Sequence, residues 1–428
     1  MKKHLIKIKY KPKNSENYIT INLAGRNLII TGGNGCGKTT LLNAINKHIN
    51  NIYVEKGHDR KKAIEDSLQT YTDIMNKTQK GTREYASAEE QLRYYLEQFE
   101  KYDTGIETIM DATDAIDTTD TTDTTDASLI FSALLDEGKA IYKFFAAERI
   151  SDIIASSGAT KIIFDDRIIN NKSHMNTQRF GSQFENHLVN LKTRQSFAET
   201  YDKNIELSNK LQQWFNELEK NISILMEDDS FQLKFDPDGF RFLLIQNNKA
   251  PYTFQSLSSG YSSIFNILSE LIMVTELYKM PPHEMQGIVL IDEIDAHLHV
   301  SLQRKILPFL NNLYPKIQFI VTTHSPFVIG SLDSSVIFDL SSKQEFTNLS
   351  NYSYETILEG LLGVPVVSMS LEKDIKRLSS LLSEINPDSI AIKELVDKLS
   401  PHSDKLDDES SVFLLKAKLF IRDNKREA

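Results

Sequence analysis

The sequence predicts an α/β fold: a sheet bearing a glycine-rich loop, interrupted by a helical insertion and followed by a helical tail. Three observations predict it. A short apolar strand, Leu28-Ile29-Ile30, runs into a glycine-rich turn that opens a helix. A second apolar strand, residues 287–291, ends on Asp292-Glu293, and a third, residues 317–321, ends on Thr322-Thr323-His324. Between and after these strands lie polar stretches, poor in glycine and proline, with apolar residues at three- and four-residue spacing.

At 428 residues the chain exceeds one ordinary domain. It carries 49 Lys+Arg against 59 Asp+Glu, a formal charge of −10. The excess is local: without the eight acids between Tyr102 and Leu135 the charge falls to −2. The acidic total therefore does not exclude a nucleic-acid partner. An apolar fraction of 40% with 9% aromatics excludes a disordered chain. No apolar run reaches the roughly 18–20 residues that span a bilayer, and Met1-Lys2-Lys3-His4 does not lead into a signal-peptide core. Cys36 is the one cysteine, which excludes an intrachain disulfide and fits a reducing, cytoplasmic setting.

Residues 1–52 read as strand, strand, loop and helix. Ile6, Ile8 and Tyr10 alternate with Lys7, Lys9 and Lys11, a period-2 strand whose lysine face suits a solvated edge or a partner contact. Residues 53–139 form a helical insertion, two antiparallel helices broken at Lys80-Gly81, with an acidic disordered loop over 103–126 that contains the repeat Asp117-Thr-Thr-Asp-Thr-Thr-Asp-Thr-Thr-Asp126. Residues 140–180 return to core patterns, a strand at 140–146 and a further apolar stretch at 160–164. Residues 181–228 read as a helical arm carrying Trp214, the single tryptophan. Residues 229–345 begin with a hairpin around Asp236-Pro-Asp-Gly239 and continue helix, strand, helix, strand, strand. From 346 to 428 the pattern is helical, broken at Pro387 and Pro401, a tail suited to binding a partner.

Gly32-Gly33-Asn34-Gly35-Cys36-Gly37-Lys38-Thr39 matches GxxxxGK[ST], directly after a strand and opening a helix that continues with Thr40. Glycines let the backbone turn its N–H groups onto phosphates, and the helix N-terminus adds partial positive charge. Lys38 would reach the β- and γ-phosphates, and Thr39 would ligate Mg²⁺. On the second apolar strand Asp292 suits the Mg²⁺ shell, and Glu293 is placed to activate the attacking water. Cys36 reads as a small loop residue. His297 and His299 read as surface or packing residues rather than metal ligands.

Three further segments set the class: Leu257-Ser258-Ser259-Gly260-Tyr261 before an apolar helix, Asp295 just after Glu293, and His324 at the end of the third strand. Phosphate loop, signature, acidic strand, D-loop and switch histidine, in that order, resemble the ABC-type ATPases. That resemblance implies ATP and Mg²⁺ as ligands and hydrolysis of ATP to ADP and phosphate. It also implies a head-to-head homodimer or higher oligomer, in which Ser258, Ser259 and Gly260 of one copy meet the nucleotide of another. His324 would contact the γ-phosphate and Asp295 would link the two sites. Departing from the family's LSGGQ, Ser259 stands for a glycine and Tyr261 for a glutamine. For the glutamine loop the candidate is Phe144-Phe-Ala-Ala-Glu148-Arg149, similar to a segment at that place in RecF and OLD relatives; Glu148 and Arg149 are the nucleotide-proximal candidates, with a buried ion pair as the other reading. The helical insertion and tail resemble the SMC/RecF/OLD branch, and within it the stand-alone anti-phage ATPases of the Septu PtuA and PARIS AriA types.

After His324 only 104 residues remain. They read as helices, so no Toprim or HNH nuclease centre is expected within them. The resemblance thus implies a defence sensor or scaffold controlling a separate HNH or Toprim effector nuclease. The alternative is an SMC/RecF-like repair or chromosome-maintenance ATPase acting on DNA. A transporter ATPase would need a membrane partner for which the sequence shows no coupling surface.

Overall fold

The computed structural model describes residues 4–12, 17–110, 127–160, 179–365, 367–384 and 387–427. The chain divides into two compact units, Met1–Ile357 and Leu358–Ala428. No helix among the described residues is long and apolar enough to cross a membrane.

In the first unit, strands β1 (Leu5–Tyr10), β2 (Ile19–Asn22) and β3 (Asn27–Thr31) precede helix α1 (Lys38–Ile49). The antiparallel helices α2 (His58–Lys77) and α3 (Arg83–Tyr102) follow, joined at Gly81, whose φ of 95° a glycine adopts freely. The Thr82 hydroxyl caps α3 by accepting from the Tyr85 N–H at 3.2 Å, and Tyr71 stacks on Tyr95 across the pair. Strand β4 (Ile106–Met110), helix α4 (Ala127–Glu137) and strand β5 (Ala140–Phe145) return the chain to the core.

Two differences from the sequence reading meet at β4. Residues 106–110 fall within the stretch expected as a disordered loop, yet they pair antiparallel with β1, burying Ile106 and Met110. Their acidic surroundings mask a five-residue strand whose one acid, Glu107, forms an ion pair with Lys9 at 3.4 Å. Consequently β1 is no edge: the sheet order is β2-β1-β4, with the lysine strand in the middle. The repeat at 117–126 lies outside the described residues, as do residues 161–164 of the expected core stretch.

The expected helical arm consists of two helices, α5 (Phe184–Thr200) and α6 (Ile205–Met226). Lys203, with φ 50°, turns the chain between them, and the Asn204 side chain caps α6. The hairpin β6 (Gln232–Asp236) and β7 (Arg241–Ile245) precedes α7 (Ser259–Tyr278), a helix apolar on most sides and buried along most of its length. Then come β8 (Gln286–Ile291), α8 (Val300–Leu313), β9 (Lys316–Thr322), the one-turn α9 (Pro326–Ile329), β10 (Ser335–Asp339) and β11 (Gln344–Thr347). β11 overlaps residue 346, where the helical tail was expected to begin.

The main sheet has the order β11-β10-β3-β9-β8-β5, parallel except at β11. Strands β3, β8, β9 and β10 are buried on both faces, which is why they read as continuous apolar runs rather than alternating ones. The buried Gln318 amide of β9 accepts from the Leu5 N–H at 2.7 Å and donates to the Leu5 and Arg26 carbonyls, fastening the small sheet to the large one. The parallel strands all direct their C-terminal ends to one edge, where ligand sites form in open α/β sheets.

Helix α10 (Tyr354–Gly360) leads into the second unit, which consists of α11 (Met369–Ser383), α12 (Ser389–Leu399) and α13 (Asp408–Glu427). Its own core includes Ile375, Leu378, Ile392, Leu395, Val396, Leu399, Leu414 and Ala417.

Candidate functional site

The glycine-rich turn begins where β3 ends. Gly32 has φ 137°, and a Cβ there would lie 2.8 Å from Cys36 Sγ and 2.9 Å from Ser341 Oγ, so only glycine fits. Gly37, φ 99°, turns the chain into α1. Lys38 is buried and folds back over the loop, donating to the carbonyls of Gly32 at 3.0 Å and Gly33 at 3.1 Å. Gly33, Asn34 and Gly35 form the exposed tip, and Thr39 and Thr40 are exposed on the first turn of α1.

The acidic strand lies two places along the sheet, beyond β9. Asp292 is buried, and its Oδ1 accepts from Thr322 Oγ1 at 2.5 Å and Thr39 Oγ1 at 3.3 Å. One carboxylate oxygen therefore joins the phosphate loop, β8 and β9. The Thr322 hydroxyl in turn accepts the Glu293 N–H at 2.7 Å. Glu293 sits at φ 45°, a left-handed conformation unfavourable for a residue with a Cβ. Asp295 accepts from the Thr323 hydroxyl at 2.5 Å, just before His324. Partial burial, and then the nearby Lys38 charge, lower the His324 pKa, favouring the neutral ring.

The signature residues lie elsewhere along this edge. Ser258 and Ser259 are exposed at the start of α7, whereas Gly260 is buried against the segment after Glu293. A Cβ on Gly260 would lie 2.8 Å from the His297 carbonyl oxygen. His297 and His299 are exposed, and the His299 side chain caps α8 by accepting from the Ser301 N–H.

Of the glutamine-loop candidates, Glu148 is exposed and Arg149 is buried. Among the described residues, hydrogen bonds rather than a simple ion pair hold Arg149. It donates to the carbonyls of Ala146 at 2.8 Å, Asp292 at 2.5 Å and Glu293 at 2.9 Å, and to Ser263 Oγ at 3.2 Å. Burial pushes its pKa down to about 10, against the pull of Asp292, Asp295 and Glu293; it stays charged at neutral pH.

Asp339 and Ser341 belong to no motif that the sequence displays, yet they reach the glycine-rich turn. Asp339 ends β10 and Ser341 lies just beyond it, on the strand that pairs with β3 on the side away from the acidic strand. Ser341 Oγ accepts the Gly33 N–H at 2.9 Å, and Asp339 holds Ser341 by accepting its N–H at 2.9 Å. Thr322 and Thr323 belong in sequence to the histidine segment, but their hydroxyl links to Asp292 and Asp295 arise only in the fold. The available signal was a polar residue at the C-terminal end of each apolar strand: Asp292, Thr322 and Asp339.

The donor set fits a nucleotide with a hard cation: a glycine-rich loop with a buried lysine, and a threonine hydroxyl 3.3 Å from a carboxylate oxygen. No group of three or more His, Cys, Asp or Glu among the described residues could hold a metal alone. Mg²⁺ commonly binds through one or two carboxylates together with substrate phosphates, so two protein oxygens suffice for that mode.

Residues 28–330, more than half of the chain, match the family described as "AAA domain, putative AbiEii toxin, Type IV TA system". The chain belongs to this family. The AAA-domain match spans the phosphate loop, α7, the acidic strand and His324. Among curated proteins, the "Retron Ec83 probable ATPase" of Escherichia coli is 39% identical over 107 residues, 24% of this chain and 20% of that protein. The Septu protein PtuA of Bacillus mycoides (strain KBAB4) is 34% identical over 160 residues, 35% of this chain and 22% of that one. PtuA of Bacillus thuringiensis is 31% identical over 143 residues, 30% of this chain and 36% of that one. The matched parts thus span between 20% and 36% of these relatives' lengths. Among solved structures, the Smc head domain with an extended coiled coil bound to the C-terminal domain of ScpA, from Pyrococcus furiosus, is 15% identical, covering 90% of this chain and 100% of that one with a TM-score of 0.34. The SMC head domain from Thermotoga maritima is 14% identical, covering 81% and 97%, also at 0.34.

Proposed function

We propose that this AAA-domain protein binds and hydrolyses ATP with Mg²⁺. We further propose that it serves as a homo-oligomeric sensor or scaffold in a bacterial anti-phage defence system, controlling a separate effector nuclease of HNH or Toprim type. The observation that carries the catalytic part is the convergence of Lys38, Thr39, Asp292 and Glu293, with Thr39 and Asp292 sharing a hydrogen bond at 3.3 Å. These are the groups that phosphoryl transfer to water requires: cations and N–H donors for phosphate, oxygen ligands for a cation, and a carboxylate to receive a proton. The defence role is supported by the names of the retron and Septu relatives.

In this reading the loop N–H groups and Lys38 bind the phosphates, and Thr39 with Asp292 holds Mg²⁺. When bound, Mg²⁺ would neutralise phosphate charge as the terminal phosphoryl group transfers. Glu293 orients a water and takes its proton. His324 hydrogen-bonds a γ-phosphate oxygen. Ser258, Ser259 and Gly260 of a second copy close the site from the other side, with Asp295 between the two sites.

Two variants test the catalytic part. Lys38→Ala should lose ATP binding, and Glu293→Gln should bind ATP yet turn it over at least about a hundredfold more slowly, as loss of a general base does. Wild-type turnover in Glu293→Gln would refute its role. For the defence part, the protein should co-purify with the product of a neighbouring nuclease gene. Absence of any such complex, together with turnover stimulated by duplex DNA and binding that weakens steeply with salt, would favour a DNA-directed ATPase instead.

A further inference from the structure

We infer that Arg149 is a positioning residue for hydrolysis: its guanidinium pins the Glu293 backbone and couples it to the helix that bears the signature. This rests on the proposed ATP hydrolysis and deepens it.

The inference starts from Glu293. A left-handed conformation costs a residue with a Cβ roughly 1–2 kcal/mol, which its surroundings must offset. Here both polar groups of the residue are held, the N–H by Thr322 Oγ1 at 2.7 Å and the carbonyl by Arg149 Nη2 at 2.9 Å. With both peptide groups fixed, the Cα–Cβ direction is fixed, and with it the region the carboxylate can reach. Thr322 holds the side facing β9, and Arg149 holds the side facing α7.

Arg149 does not act on Glu293 alone. Its Nε donates to Ser263 Oγ on the second turn of α7. The two following residues grip the same helix: Ser151 N–H donates to Ser262 Oγ at 2.8 Å, and Asn266 Nδ2 donates to the Ile150 carbonyl at 2.9 Å. Residues 149–151 thus hold one face of α7, while the Arg149 fork holds the end of β8. A second contact ties the same two elements, Gly260 against the His297 carbonyl. Any displacement of α7 when Ser258 and Gly260 engage phosphate therefore reaches Glu293 of the same chain through Arg149. Lysine cannot substitute, because the three N–H donors of its ammonium share one nitrogen and cannot span the three carbonyl oxygens and the hydroxyl that the planar fork reaches.

The test uses the full chain with Arg149→Lys and Ser263→Ala. Two quantities are measured: equilibrium binding of a fluorescent ATP analogue with Mg²⁺, and steady-state hydrolysis of ATP. Both variants should bind the analogue within about threefold of wild type, with kcat about tenfold lower in Arg149→Lys and about threefold lower in Ser263→Ala, because the interaction serves the reacting geometry and not ground-state binding. Unchanged kcat in Arg149→Lys overturns the inference, and so does weaker binding with kcat unchanged, which would make Arg149 a nucleotide ligand. Should Arg149→Lys fail to fold, Ser263→Ala decides, since it removes one hydroxyl; unchanged kcat there breaks the link to α7. Wild-type turnover no higher than that of Lys38→Ala would overturn the hydrolysis reading and this inference together, whereas robust wild-type turnover with unaltered variants overturns this inference alone.

Discussion

His48 shows how the fold dictates the charge state of a single residue. It lies buried at the end of α1, its ring nitrogens 3.2 Å from Thr104 Oγ1 and 3.1 Å from Thr108 Oγ1. Burial, and then the Lys61 charge, push its pKa down to about 4 from the ordinary 6.5. The unfolded chain takes up this proton near pH 6.5 and the folded chain only near pH 4. Stability from this residue is therefore complete above pH 6.5 and is lost as the pH falls toward 4, by roughly 3 kcal/mol at most. Urea midpoints measured across that window should drop for the wild type and drop less for His48→Gln; equal slopes would remove His48 as the cause. Gly260 makes a second case. The resemblance to the ABC type assigns it to the nucleotide of another copy, but in its own chain it has no room for a Cβ beside His297. Gly260→Ala should thus lower thermal stability without any nucleotide present, measured as a fall in Tm.

At the scale of elements, the phosphate loop is shaped from both flanks. Asp292, after β8, reaches it from one side, and Ser341, after β10, from the other. Ser341→Ala removes one acceptor from the exposed Gly33 N–H, a loss of about 1 kcal/mol, so the KM for ATP should rise about fivefold with kcat nearly unchanged. An unchanged KM would mean that the loop keeps its shape without this prop. Gln318 performs a comparable task between the two sheets, and it is fully buried. Gln318→Leu leaves the Leu5 N–H and two carbonyls without this partner and should destabilise the first unit by on the order of 3 kcal/mol, read from denaturant unfolding.

For the whole molecule the question is whether one site draws on two chains. Ser258 and Ser259 are exposed at the start of α7, while the contacts of the phosphate loop run to Asp292 and Ser341. If a second copy supplies the signature, mixing Lys38→Ala with Ser258→Ala protein should restore turnover, because about one composite site then has both an intact loop and an intact signature. No recovery on mixing would refute the shared arrangement. The second unit, with its own core, is the candidate surface for a partner, and its role is open to the same co-purification that tests the effector.

The segments that make up the candidate site were legible in the sequence because each is short and continuous. Strand, glycine turn and helix occupy one stretch from Asn27 to Ile49, and Asp292-Glu293 directly follows a strand buried on both faces. Such signals depend on neighbouring residues and on periods of 2 or 3.6, which a sequence displays. The tertiary structure alone decided what those segments touch. It put the lysine strand in the middle of a sheet by pairing it with five residues hidden in an acid-rich stretch. It also brought Gln318 to Leu5, 313 positions away, and Arg149 to Glu293, 144 positions away. Those contacts follow from strand order and register, set by how whole apolar faces pack, and no local spacing in the chain encodes them.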